Sequence, residues 1–141
     1  MKHMTRILML TLTLLPMLAA AQTPLGDTKI VAQVPFDFVI GSKIVPAGQL
    51  SVQRLAPEND TLAMRNRKAN VNMLANFERV EAKKPATTDA LVFHKYGNRY
   101  FLWEVKLEGS QTMYRLPESR AEAELRAQNV QATEEILLAV K

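Results

Sequence analysis

A few side chains in this sequence have the chemistry of a reactive site, and each must be weighed against an ordinary role in a sheet. The chain holds two histidines, His3 and His94. A lone imidazole can serve as a general base, but the usual metal sites need further ligands at fixed spacing. His94 falls in an alternating run on the same side as Val92 and Tyr96, so it reads as a half-exposed strand residue. Asp37 and Glu104 are carboxylates set among aromatic neighbours. To cleave a glycosidic bond they would have to face each other across about 5–9 Å of cleft. Alternation instead points both away from the apolar face, as solvated strand residues. Tyr96, Arg99 and Tyr100 flank Gly97-Asn98 and form a candidate recognition surface, because Tyr and Arg dominate binding hot spots. The competing reading has the two tyrosines stabilising the turn as a cross-strand pair. No H-E-x-x-H, G-x-S-x-G or glycine-rich phosphate loop occurs. The expectation is no catalytic residue, no cofactor and no metal.

Composition narrows the classes. There is no Cys among the 141 residues, which excludes a disulfide scaffold, a zinc finger and a thiol nucleophile. The chain is 48% hydrophobic with a net charge of +4, which is not the profile of a disordered tail.

The first 21 residues read as a secretory signal peptide. Lys2 and Arg6 make a basic start, Ile7 to Leu18 is a short apolar stretch, and Ala19-Ala20-Ala21 precedes Gln22. Twelve helical residues span about 18 Å, well short of the ~30 Å hydrocarbon core. Removing 21 of the 141 residues leaves 120, and losing Lys2 and Arg6 takes the charge from +4 to +2. So small a charge makes no case for nucleic acid. The run Arg65-Asn66-Arg67-Lys68 reads as a solvated loop rather than a binding patch. No membrane span is expected after the leader is removed.

Residues 22–29 read as a flexible lead-in, and 30–141 as one β-domain. Short alternating runs separated by turn residues fit a small antiparallel sandwich or partly open barrel of about seven to eight strands. Expected strands cover Lys29 to Val34, Phe36 to Ile40, Leu50 to Leu55, Thr61 to Arg65, Val71 to Phe77, Ala90 to Tyr96 and Arg99 to Leu107. Along the last of these, Phe101, Trp103, Val105 and Leu107 are expected on one face. Pro46-Ala47-Gly48 is a turn in which Gly48 supplies positive φ. Glu81 to Asp89 is an exposed loop. Ser119 and Glu122 have capping-box spacing, so a helix is expected near 119–128, docked by Ala121 and Leu125. Its i,i+4 pairs are Arg120 with Glu124 and Glu122 with Arg126. Glu134 to Val140 suits either a helix extension or a strand, and Asn129, Val130 and Thr133 favour a final strand.

Three motifs occur in order: Phe36-Asp37-Phe38-Val39-Ile40-Gly41 with Val45-Pro46-Ala47-Gly48, then His94 to Leu102 (HKYGNRYFL), then Ser119-Arg120-Ala121-Glu122. The set resembles a family of small, signal-peptide-bearing exported proteins common in acidobacteria. The resemblance implies an exported, mostly β domain. It implies no activity and transfers no functional residue. The functional expectation is an exported non-catalytic β-domain, binding or structural, in the envelope or outside the cell. The alternatives are a small barrel carrying a hydrophobic ligand and a hydrolase with an unrecognised site. An envelope component or a hydrophobic small molecule is the expected partner.

Overall fold

The computed structural model describes residues 29–140. The expected leader, and the lead-in except Lys29, lie outside them. The elements are β1 (Lys29–Val34), β2 (Phe38–Ile40), β3 (Lys43–Val45), β4 (Gly48–Arg54), β5 (Thr61–Asn66) and β6 (Val71–Asn76). Then follow β7 (Glu78–Glu81), β8 (Ala90–Tyr96), β9 (Arg99–Lys106), β10 (Thr112–Arg115), α1 (Arg120–Ala127) and β11 (Thr133–Leu138). Strands β1, β4, β5 and β6 form an antiparallel sheet in that order. A larger sheet runs β11-β8-β9-β10-β7, and β2 joins it parallel to β9 through Val39 and Phe101, with β3 paired to β2. Among the described residues the architecture is mainly β with one C-terminal helix, and the sheets do not close into a barrel.

The described residues form eleven strands where seven to eight were expected. The additional ones are short: β3, β7 and β10. The latter two carry little apolar alternation and are joined by polar contacts, such as Thr112 Oγ1 donating to Glu81 Oε1 at 2.7 Å. Hydrophobic periodicity does not register strands of that kind.

The core lies between the sheets. Ile30, Ala32 and Val34 of β1 meet Leu50 and Val52 of β4 and Leu62 and Met64 of β5, facing Phe38, Leu91 and Phe93 of the larger sheet. Phe36 and Phe38 both pack edge-on against Phe93, with ring centres 5.2 and 5.3 Å apart. Offset and edge-on rings are the favoured geometry, so aromatic side chains fill the middle of the sandwich.

Strand β9 departs from the expected single period. Val92 pairs with Glu104 and Phe93 with Leu102, which leaves Trp103 as an extra residue in a bulge. Before the bulge, Leu102 faces the sandwich core; after it, Val105 does. Phe101 is buried on the opposite face, against Tyr96. The expected row of Phe101, Trp103, Val105 and Leu107 is therefore divided between two faces.

The ends of α1 are set by local chemistry. Ser119 Oγ accepts from the backbone N–H of Glu122 at 3.1 Å, an N-cap. At the other end Asn129 takes φ 58. Its N–H donates to the Arg126 carbonyl at 3.0 Å, and the Val130 N–H donates to that of Leu125 at 3.2 Å. This Schellman pattern ends the helix and turns the chain back. The tail then pairs antiparallel with β8 as β11, the expected final strand.

Candidate functional site

Two polar regions compete for the role of a site. The first lies where α1 covers the outer face of the larger sheet. Glu122 is 3% exposed, and its carboxylate lies 2.6 Å from His94 Nδ1 and accepts from the Tyr96 hydroxyl at 3.2 Å. Burying a carboxylate without such partners would be costly. The acceptor fixes the imidazole proton on Nδ1. His94 also stacks on Trp103 with ring centres 4.4 Å apart. Arg115 lies over the other ring system of that stack, 4.8 Å from the Trp103 ring, and donates to Glu104 at 2.6 and 3.0 Å. Burial of the Tyr96 hydroxyl, then the charge and hydrogen bond of Glu122, hold its pKa above the ordinary tyrosine value.

Several expectations change here. Glu104 is buried in an ion pair, not solvated. The buried residue of the helix is Glu122, while Ala121 and Leu125 are only half-buried. Arg120 does pair with Glu124, but Arg126 turns to Glu118 instead of Glu122, at 2.8 and 3.1 Å. The capping box is half formed, because the Glu122 carboxylate is taken by His94 and Tyr96. His94 shares its face with Val92 and Tyr96 as expected, but helix and indole cover it to 17% exposure. Asp37 is exposed and accepts from the Ala47 N–H at 2.8 Å.

The three hairpin residues do not share one surface. Tyr96 is buried under α1, Tyr100 stacks on Phe36 at 3.7 Å on the core side, and Arg99 is exposed. Across the turn Tyr96 pairs with Arg99 and Lys95 with Tyr100, so the tyrosines are not cross-strand partners either. Gly97 has φ +60, which a two-residue hairpin of the II′ type requires.

The second region is the outer face of the smaller sheet. Lys29, Gln53, Ala63 and Leu74 stand in one cross-strand row, and Val31, Ser51, Arg65 and Asn72 in the next. The small side chains of Ala63 and Ser51 leave a trough between longer neighbours. Here an open groove of about 480 Å3 is lined by Lys29, Lys43, Arg65, Arg67, Gln53 and Asn72, among others. β1, β4, β5 and β6 contain no Asp or Glu. Among the described residues, none of the four groove cations has a carboxylate partner. Arg65 Nε donates to Asn72 Oδ1 at 2.7 Å, which holds the guanidinium along the sheet.

The basic run is therefore not a plain loop. Arg65 and Asn66 end β5, and Asn66 is fully buried. Its side chain donates to the Pro46 carbonyl at 2.9 Å and accepts from the Ala69 N–H at 3.1 Å. This buried amide anchors the β5–β6 turn and sets Arg67 at the groove. The local run supplies only Arg65 and Arg67; the sheet register brings Lys29 of β1 to the same face, and Lys43 of β3 stands alongside.

Among the described residues, no three His, Asp or Glu side chains gather as metal ligands, and no helix is long and apolar enough to cross a membrane. No family model, curated protein or solved structure matches the chain.

Proposed function

We propose that this chain is an exported, non-catalytic β-domain that acts by binding, in the cell envelope or outside the cell. The observation that carries the reading is where the polar side chains are used. His94, Tyr96 and Glu122 bond to one another beneath α1, whereas the cations of the smaller sheet line an open groove. A general base must reach its substrate's proton, and His94 is instead engaged by Glu122 and Trp103. The resemblance to small exported acidobacterial proteins and the reading of residues 1–21 as a leader support the address. The alternative of a barrel carrying a hydrophobic ligand finds less support, because Phe36, Phe38 and Phe93 fill the space between the sheets.

The test has two parts. Fractionation of cells expressing the full chain, with mass spectrometry of the product, should find it outside the cytoplasm and beginning at Gln22. A panel of ester and glycoside substrates should give no turnover that His94→Ala abolishes. Retention of residues 1–21 in the cytoplasm, or a His94-dependent hydrolysis, refutes the proposal.

A further inference from the structure

We infer that the groove on the outer face of β1, β4, β5 and β6 binds an acidic polysaccharide. This rests on the reading of the chain as a binding domain and names its ligand class. Three observations bear on the choice. The face carries Lys29, Arg65 and Arg67, with Lys43 alongside, and its four strands supply no carboxylate to neutralise them. A polyanion is thus the complementary partner. The remaining groove polar groups include the amides of Gln53 and Asn72 and the hydroxyl of Ser51, which match the donor and acceptor pattern of sugar hydroxyls. Among the described residues, no aromatic ring lines the groove. That argues against single-stranded nucleic acid, which needs rings on which its bases stack.

An anionic membrane would meet the same cations, but binding to it is strengthened by apolar side chains that enter the headgroup layer. Among the described residues that line the groove, Leu74 is the only large exposed apolar one. An open trough also suits an extended chain better than a flat bilayer. A single guanidinium held in place by Asn72 can engage a carboxylate through two parallel N–H bonds, whereas the lysines act as point charges.

The experiment is calorimetric titration of the purified protein with polygalacturonate, dextran, and vesicles of phosphatidylglycerol, at low and high salt. Polygalacturonate should bind, dextran should not, and added salt should weaken the binding. Arg65→Ala and Lys29→Ala should each weaken it by about tenfold, the loss expected for one desolvated charge-assisted contact. Arg65→Glu with Arg67→Glu should abolish it. Arg120→Glu, a reversal on the exposed side of α1, should leave it unchanged. Unaltered thermal melting separates loss of binding from loss of fold. Equal binding of dextran would overturn the acidic ligand while leaving a binding domain intact. Binding to vesicles alone overturns the glycan in favour of a lipid surface. Binding that survives the double reversal overturns the groove, and no binding to any probe overturns the inference. The export and hydrolysis results above decide the parent reading separately.

Discussion

Replacing Glu122 by Ala tests whether the polar cluster holds the helix to the sheet. The carboxylate is 3% exposed and is paired with His94 at 2.6 Å and Tyr96 at 3.2 Å. A hydrogen bond to a charged group contributes about 1.5–3 kcal/mol, and a buried donor left unsatisfied costs about 1–3 kcal/mol. Alanine's higher helix propensity returns only a few tenths of a kcal/mol. The net loss is therefore about 2–4 kcal/mol. An unfolding entropy of about 2.1 cal/mol/K per residue, taken over the 112 described residues, makes 3 kcal/mol equivalent to a fall in Tm of roughly 10–15 °C. Scanning calorimetry measures it directly. Glu124→Ala is the matched control, since its i,i+4 pair with Arg120 is exposed and contributes at most about 0.5 kcal/mol. If the two variants melt together, the buried carboxylate does not dock the helix, and the account of that face is wrong.

Other outcomes follow from particular residues. Gly48→Ala should destabilise by about 1–3 kcal/mol in urea, since φ is +150 there and a Cβ would lie 3.2 Å from Asn66 Nδ2; an unchanged midpoint would mean that the turn accepts a side chain at this position. Tyr96 binds its proton more tightly in the folded state, so its stabilisation is present below pH ~10 and lost as pH rises through the folded value. A tyrosinate absorbance titration should therefore show one of the three tyrosines ionising late, and Glu122→Ala should bring it down. Asn129→Gly should be neutral or slightly stabilising, whereas Asn129→Val should cost about 1–2 kcal/mol at φ 58. Equal stability of those two variants counts against the left-handed helix end.

The sequence makes the class of fold and the long strands readable because each of β1, β4, β5 and β8 presents an apolar row toward the core. The Gly97 hairpin, the Ser119 cap and the closing strand were readable for the same kind of local reason. Polar contacts carried what was missed. Glu122 sits at a capping-box position, so nothing nearby in the chain reveals that its carboxylate belongs to His94, 28 residues away. Trp103 continues an alternating pattern by type, and only pairing with β8 shows it to be the extra residue. The groove was hidden because Lys29, Lys43 and the Arg65–Arg67 pair are far apart in sequence and meet only in the fold. The basic run at Arg65 was visible, but the buried Asn66 that fixes it has no sequence signature.

The bulge at Trp103 has a mechanical consequence. It lets a single strand contribute Leu102 and Val105 to the sandwich core and Phe101 to the packing beneath α1. Two apolar clusters on opposite sides of the sheet thus share one stretch of backbone, and neither can loosen without disturbing the other. Helix and sandwich should accordingly melt in one cooperative transition, with far-ultraviolet circular dichroism and tryptophan fluorescence reporting the same midpoint.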